Sequence, residues 1–268
     1  MTASIPLDQP FSQEQNAEIL DRFYRDGYAL VPGVLGAEEC DRLREAADRG
    51  FAAHPVGQSD LRYGEIVLVR LFEVDRMFRD LLVREPIISL CDAVLGPQCH
   101  LFAQNLVRNG QGQAIDRFHV DDEVEIPLPD QIPRHDPRLR LPVFRMTVQI
   151  LLSDVETEEY GPTQFVPASH YSGRNPSDPL HPSFEGRGPV SILGRAGDIY
   201  LHNGQCWHRG APNTSTRVRY LLQHAMGRRW VAQRFYPFLN YHMPEQVLEG
   251  TDERLLRVLG KHPKGPYG

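Results

Sequence analysis

The hydrophobic period of this chain changes once, close to residue 98, and the change constrains the fold more than any other feature. Before it, apolar residues recur every three or four positions, the spacing of one helical face; after it they alternate, the spacing of a strand. In the first part, Ser12-Gln13-Glu14-Gln15 is a capping box. The helix it starts carries Ile19, Leu20, Phe23 and Tyr24 on one face and stops at Asp26-Gly27. Tyr28–Val31 reads as a short strand ended by Pro32-Gly33. A second helix over 37–49 buries Cys40, Leu43 and Ala47, and a third over Ile87–Leu95 is stopped by Gly96-Pro97. In the second part, strands are predicted over 100–107, 143–152, 164–166, 198–202 and 217–225, between Gly, Pro and Asn turns. The stretch 122–142 is rich in Pro and charge and longer than structureless loops usually are in a compact domain. No repeat or linker divides the chain. The expectation is one domain over 1–268: a helical part (about 1–97), a mainly antiparallel β-core (about 98–230) and an irregular tail (231–268).

Composition narrows the function classes. Of 268 residues, 29 are Lys or Arg and 35 are Asp or Glu, a formal charge of −6. Polyanionic backbones reward an excess of positive charge, so no nucleic-acid partner is expected. With 41% hydrophobic residues the chain can bury a deep core and still shape a pocket. No apolar run approaches the roughly 20 residues that span a bilayer. MTASIPLDQPFSQEQ lacks the basic-then-apolar order of a secretory leader, so a cytoplasmic protein without a membrane partner is expected. Cys40, Cys91, Cys99 and Cys206 form no CxxC pair and read as buried small hydrophobes rather than disulfides or zinc ligands.

Three segments carry chemistry. On an extended backbone residues i and i+2 share a face, so His119 and Asp121 can offer an imidazole and a carboxylate to one ion. His208, 87 residues after Asp121, sits where a strand reverses into a Gly-x-Pro-Asn turn and supplies a third ligand; His202, inside a regular strand, is the weaker competitor. Two His and one carboxylate on one side of a metal leave three positions open, the arrangement of non-haem Fe(II) oxygenases. Along 217–225, Arg217, Arg219, Leu221 and Gln223 share one face. An arginine on the core face of a strand needs a buried partner, and a guanidinium grips a carboxylate bidentately.

These segments lie in an ordered set of blocks. Residues 23–35 (FYRDGYALVPGVL) come first, then His119-Val120-Asp121 and 161–170 (GPTQFVPASH). Ala196-Gly197-Asp198, Trp207-His208 through Pro212-Asn213, Arg219 and the tail 259–268 complete it. The set resembles the phytanoyl-CoA dioxygenase family of Fe(II)/2-oxoglutarate-dependent oxygenases. The resemblance implies a mainly β fold with flanking helices, a double-stranded β-helix of the jelly-roll or cupin-like kind. It implies His119, Asp121 and His208 as both metal ligands and catalytic centre, with Fe(II), 2-oxoglutarate and O2 as cofactors. Arg219, eleven residues past His208, would hold the C5 carboxylate of 2-oxoglutarate, with Arg217 as fallback. Thr163 falls in a matching block and joins the cosubstrate site, and Gln104 or Asn105 would meet the C1 carboxylate. Alternation puts these two on opposite faces, so only one can serve.

The expected function is therefore an Fe(II)- and 2-oxoglutarate-dependent dioxygenase, hydroxylating a small molecule with release of succinate and CO2. Asp121 stands where halogenases of related fold carry a small residue, which favours oxygen insertion. The alternatives are a cupin-type metal-dependent hydrolase or isomerase, and a non-catalytic binding protein of the same fold. Arg219 separates them, because a hydrolase needs no dicarboxylate clamp. Phe118, Val120 and Arg209 depart from the family's common residues beside the ligands and are expected to shape substrate choice. His170 reads as part of a structural turn; His135, His181 and His262 read as solvated, and Arg108, Arg117 and Arg145, which flank the presumed pocket, read as surface charge. The loop 122–142 is expected to be mobile and to close over substrate, with Arg134, Arg138 or Arg140 meeting an anionic group.

Overall fold

The computed structural model describes residues 9–235 and 241–262. In chain order the strands are β1 (Tyr28–Val31), β2 (Arg62–Tyr63), β3 (Val67–Val69), β4 (His100–Asn109), β5 (Ile115–His119) and β6 (Arg145–Leu151). They continue as β7 (Thr163–Phe165), β8 (Val190–Ser191), β9 (Ile199–Asn203), β10 (His208–Gly210) and β11 (Arg219–Gly227). A seven-stranded sheet has the order β1-β9-β6-β11-β4-β3-β2 and a four-stranded sheet the order β5-β10-β7-β8, every pairing antiparallel. Two antiparallel sheets with a polar cleft between them and helices on one outer face make the expected double-stranded β-helix.

The helices are α1 (Gln13–Asp26), α2 (Ala37–Ala53), α3 (Leu71–Val74), α4 (Arg76–Asp80), α5 (Ile87–Leu95), α6 (Glu245–Leu248) and α7 (Glu253–Val258). The capping box forms as its residues require: Ser12 Oγ accepts from the Gln15 amide at 3.2 Å, and Gln15 Oε1 accepts from the Ser12 amide at 3.0 Å. Gly27 ends α1 at φ +88°, where a Cβ would lie 2.7 Å from the His170 ring and 2.8 Å from Cys206 Sγ, so only glycine fits.

The main core lies between the helices and the large sheet. Val148 and Ile150 of β6, Ile199 and Leu201 of β9, and Leu222 and Met226 of β11 point into it, against Phe72, Phe78, Ile88 and Cys91. Each fully buried aliphatic or aromatic side chain there contributes about 1.5–3 kcal/mol. Their alternates on β6, β9 and β11 (Gln149, Tyr200, His202, Arg219, Leu221 and Gln223) take the opposite, inner face. Val107, Leu151, Phe165, Tyr200 and Leu221 form a smaller apolar cluster on that side. The four cysteines are free and buried, as expected.

Several elements differ from the sequence reading. β2, β3, β5 and β10 are two to five residues long, too short for alternation to register. β1 pairs with β9, so the helical part supplies strands to the large sheet. The tail, expected to be irregular, forms α6 and α7 within its described residues; Asp252 caps α7 by accepting from the Leu255 amide at 2.8 Å. Val247, Leu255 and Val258 bury there against the main core. Residues 263–268 of the family-like tail lie outside the described residues.

Candidate active site

His208 of β10 and His119 of β5 are register partners, and their ring centroids lie 4.4 Å apart. His119 Nδ1 donates to the Arg117 carbonyl and His208 Nδ1 to the Cys206 carbonyl, both at 2.9 Å. A carbonyl only accepts, so each Nδ1 carries the proton and each Nε2 keeps its lone pair for an ion. Asp121 lies two residues past His119, just beyond β5, with its amide donating to the Gly204 carbonyl at 2.8 Å. Its Oδ1 stands 3.5 Å from His208 Nε2. A Cβ on Gly204 would come within 3.1 Å of Asp121 Oδ2, so the absent side chain leaves the carboxylate its room. His119, Asp121 and His208 each offer one ligand atom, all within 4.8 Å of one another. Two neutral imidazoles and one carboxylate fit an Fe(II)-type ion of the open, three-ligand kind.

The three groups set one another's charge. Burial lowers the His119 imidazole, and His208 lowers it further. Burial also pulls His208 down, but Asp121 more than reverses this and leaves it above its ordinary value. Asp121 is raised by burial, yet His208, His202 and His119 together hold its carboxyl well below the usual range. His202 lies close by, its ring 4.7 Å from that of His208, but its Nε2 accepts the Gln149 side-chain amide at 3.0 Å. Burial pushes it down to about 3, so it stays neutral beside the ligands. The preference for His208 over His202 agrees with this geometry.

A cavity of about 180 Å³ runs from His119, Asp121 and His208 to Arg219. Arg219 is 5% exposed; it donates to the Gly161 carbonyl and, at 3.1 Å, to Asn109 Oδ1. Its Nε is buried without a partner, and no acidic side chain pairs with it among the described residues. Burial lowers its pKa accordingly. An arginine kept from water without a counter-charge is costly unless an anion joins it. Thr163 borders the same cavity, its Oγ1 2.7 Å from the Tyr200 hydroxyl, which lies 2.8 Å from Gln149 Oε1. A second cavity, about 100 Å³, opens from the ligands past Ala103, Thr147 and Ala225 toward the surface; Asp121, Gln149, His208 and Gln223 border both.

Other sequence expectations need correction. Gln104 does not face the site. It points into the helix layer, where its amide donates to the Phe78 carbonyl at 2.7 Å and meets His224 Nε2 at 3.1 Å. Asn105, on the other face of β4, borders the ligand cavity, opposite Gln223 in register. Arg217 precedes β11, half-exposed, 3.9 Å from Asp154 and with its guanidinium 4.5 Å from the Tyr160 ring, so it does not share the inner face with Arg219. Arg145 does flank the cavity, but as a buried side chain rather than as surface charge. His262 and His135 are not simply solvated: the first meets His100 Nδ1 at 2.9 Å and the second donates to the Ile126 carbonyl at 2.8 Å. Arg209 donates to Gln164 Oε1 at 2.7 Å beside Phe118.

The loop 122–142 has no helix or strand, but it is tied down. Arg174 donates to the carbonyls of Pro129 and Ile132 at 2.6 Å and of Pro133 at 3.2 Å. Gln205 brackets Glu123 O at 3.0 Å and the Glu125 amide at 2.9 Å. Arg134 pairs with Glu185, Arg138 with Asp136, and Arg140 lies over the Tyr24 ring, so none of the three points an unengaged charge at the cavity. Gln149, Tyr200 and Gln223 carry parts of the site that no motif marked; only their register across β6, β9 and β11 brings them together.

The fold and the site together define a double-stranded β-helix protein with two imidazoles and a carboxylate gathered in its cleft and a buried arginine at one end. The chain belongs to the phytanoyl-CoA dioxygenase family, whose model matches residues 23–220. Uncharacterised proteins of Mycobacterium bovis and Mycobacterium tuberculosis are each 26% identical over 84% of this chain and 81% of their own length. HygX from Streptomyces hygroscopicus, solved with nickel and 2-oxoglutarate bound, has a TM-score of 0.62 at 18% identity, covering 86% of this chain and 95% of its own. The epimerase SnoN, in complex with Fe3+, alpha ketoglutarate and nogalamycin RO, has a TM-score of 0.63 at 23% identity over 90% and 93%. The carbocyclase SnoK of nogalamycin biosynthesis has 0.60 at 20% over 82% and 87%. These structural likenesses are likenesses of fold. No helix among the described residues is long and apolar enough to cross a membrane.

Proposed function

We propose that the protein is an Fe(II)- and 2-oxoglutarate-dependent oxygenase acting on a small molecule in the cytoplasm. The observation that carries this reading is the unpaired, buried Arg219 at the far end of the cavity that begins at His119, Asp121 and His208. A dicarboxylate spans such a cavity naturally, one carboxylate at the guanidinium and the other at the metal. HygX and SnoN, crystallised with 2-oxoglutarate or alpha ketoglutarate and a metal, agree with it.

In this reading His119 and His208 hold the iron through Nε2 and Asp121 through its carboxylate. Iron with 2-oxoglutarate would supply the oxidising chemistry, with CO2 and succinate as co-products. The chain supplies placement. Arg219 and Thr163 orient the cosubstrate at its C5 end, and Asn105 takes the C1 end. Tyr200, pushed up to about 12 by burial, stays a neutral phenol and keeps Thr163 and Gln149 in place. The prime substrate enters by the second cavity, past Ala103, Thr147 and Ala225, because the cosubstrate takes the one that ends at Arg219. The outcome read for that substrate is hydroxylation. An epimerase and a carbocyclase share the fold, so the product decides the outcome. The test is anaerobic titration of the Fe(II) protein with 2-oxoglutarate, watching for the metal-to-ligand absorption band, then a small-molecule screen read by succinate release. A protein that binds neither iron nor 2-oxoglutarate ends the reading.

A further inference from the structure

The residue after the carboxylate ligand is built in an unusual way. Asp122 has φ +58°, a left-handed backbone that non-glycine residues adopt at a cost and that Asp and Asn tolerate best. Its side chain is gripped from both sides: Arg145, from the start of β6, reaches Oδ2, and Arg234, from the segment after β11, reaches Oδ1. Arg145 does more than pair with Asp122. Its Nη2 donates to the main-chain carbonyl of Asp121 itself, and its Nε donates to Glu125 Oε1 at 2.8 Å. The Arg145 side chain is only 11% exposed, so water competes little for these contacts. One buried fork therefore binds three points of the turn 121–125, the first of them on a residue of the metal site. The opposite side of that turn is held by the Asp121 amide on the Gly204 carbonyl at 2.8 Å.

From this we infer that Arg145 is a positioning residue for the metal centre, acting through Asp122. It fixes the left-handed turn that points the Asp121 carboxylate at the two imidazoles. The inference rests on the reading of His119, Asp121 and His208 as metal ligands. It adds that the third ligand is aimed by a charged clasp rather than by strand geometry. The physical need is plain: β5 stops at His119, so Asp121 lies outside the ladder that holds the first ligand. A ligand on a free turn costs entropy to order each time metal binds, and a turn ordered in advance does not. Lysine cannot replace the arginine, because a single ammonium cannot reach three acceptors in one plane. Arg234 contacts the clasp at Asp122 alone and is half-exposed, so its share is smaller.

Metal affinity is the readout, taken by anaerobic titration of the purified, metal-free protein with Fe(II) or Co(II), alongside the melting temperature of the same metal-free samples. Arg145→Gln, Arg145→Lys and Asp122→Gly, which keeps the backbone but loses the side chain, should each weaken binding by about 10–100-fold, the range seen when groups that orient metal ligands are removed. Arg234→Ala should weaken it less. Asp122→Asn carries the test if Arg145→Gln fails to fold, since asparagine keeps the left-handed turn and loses the charge; it should also lose affinity. In the Asp121→Ala background, which already lacks the ligand, Asp122→Asn should cost nothing further, and this separates aiming of Asp121 from general stability. Wild-type affinity in both Asp122 variants, or an equal loss with and without Asp121, overturns the inference. Failure of the wild-type protein to bind metal at all would instead remove the underlying reading of the site.

Discussion

His119 and His208 are mirror images in their hydrogen bonding: each gives its Nδ1 proton to the carbonyl two residues earlier, Arg117 for one and Cys206 for the other, at the same 2.9 Å. The backbone thus sets both tautomers before any ion arrives, and neither ring needs to turn to bind. Replacing either by alanine leaves two ligands, and metal affinity should fall by at least about 100-fold. Anaerobic Fe(II) titration of His119→Ala and His208→Ala checks this, and unchanged affinity in either would remove that residue from the ligand set. His202→Ala should leave the metal bound, because its Nε2 is already given to Gln149.

Arg219 should control the cosubstrate. Arg219→Ala removes a buried charge-assisted contact of about 1.5–3 kcal/mol, so KM for 2-oxoglutarate should rise by roughly 10–100-fold. KM for the prime substrate should move far less. Arg217→Ala, which touches only the Tyr160 ring and Asp154, should leave both constants near wild type. Steady-state kinetics on the two variants distinguish them, and the reverse pattern would give the clamp to Arg217.

What could be read from the sequence was chemistry carried within one segment. His119 and Asp121 are two positions apart, close enough for the sequence to pair them, although β5 stops at His119 and Asp121 lies just beyond its ladder. Arg219 was legible because an arginine among Leu221, Leu222 and Tyr220 is out of place unless it has a task. The Gln149–Tyr200–Thr163 chain was not legible, since each residue sits on a different strand and only the pairing of β6 with β9 sets Gln149 beside Tyr200. Gln104 and Asn105 illustrate the same limit. Period 2 says that they oppose each other, but only the packing of Phe78 and His224 over one face of β4 says which faces outward. Arg145 was misread because its partners, Asp122 and Glu125, meet it only when the loop folds back onto β6.

That choice of faces can be tested directly. Gln104→Ala should leave KM for 2-oxoglutarate unchanged but destabilise the protein by about 1–3 kcal/mol, because the Phe78 carbonyl and His224 Nε2 lose a buried donor. Asn105→Ala should do the opposite, weakening 2-oxoglutarate binding with little effect on the melting temperature. Paired thermal melts and kinetics on both variants separate the roles, and a cosubstrate defect in Gln104→Ala would reverse the assignment.

His224 gives the fold a defined response to acid. It is wholly buried, accepts from Gln104, and burial alone pushes it down to about 3 from an ordinary value near 6.5. The unfolded chain therefore takes up a proton between pH 6.5 and 3 that the folded chain refuses. Stability is full above pH 6.5 and falls as pH drops through that window, by up to about 1.4 kcal/mol per pH unit for this one group. His170, pushed down to about 4, adds to the effect over a narrower window. Denaturant melts of wild type and His224→Gln between pH 7 and 5 should show the variant losing less stability on acidification, and parallel losses would assign the response to other groups.

Arg174 decides whether the loop 122–142 behaves as a lid or as a wall. The sequence suggested a mobile segment, because proline and charge give it no ladder to join. The structure supplies three carbonyl acceptors to one guanidinium instead, at Pro129, Ile132 and Pro133. Gly173 lets the loop approach closely: its φ is +61°, and a Cβ there would lie 2.8 Å from Leu128 and 3.0 Å from His135. Trp207 completes the link by donating its indole N–H to the Arg174 carbonyl at 2.7 Å, one residue before His208. The loop is thereby fastened to the strand that carries a metal ligand. Limited proteolysis of the wild-type protein without substrate should leave 122–142 uncut at protease levels that digest the denatured chain. Arg174→Ala frees three carbonyls and should open the loop to cleavage by at least about 10-fold in rate, since local opening governs cutting when reclosure is fast. Rapid cleavage in the wild type, suppressed by substrate, would restore the lid and make the Arg174 contacts a closed state that ligand selects.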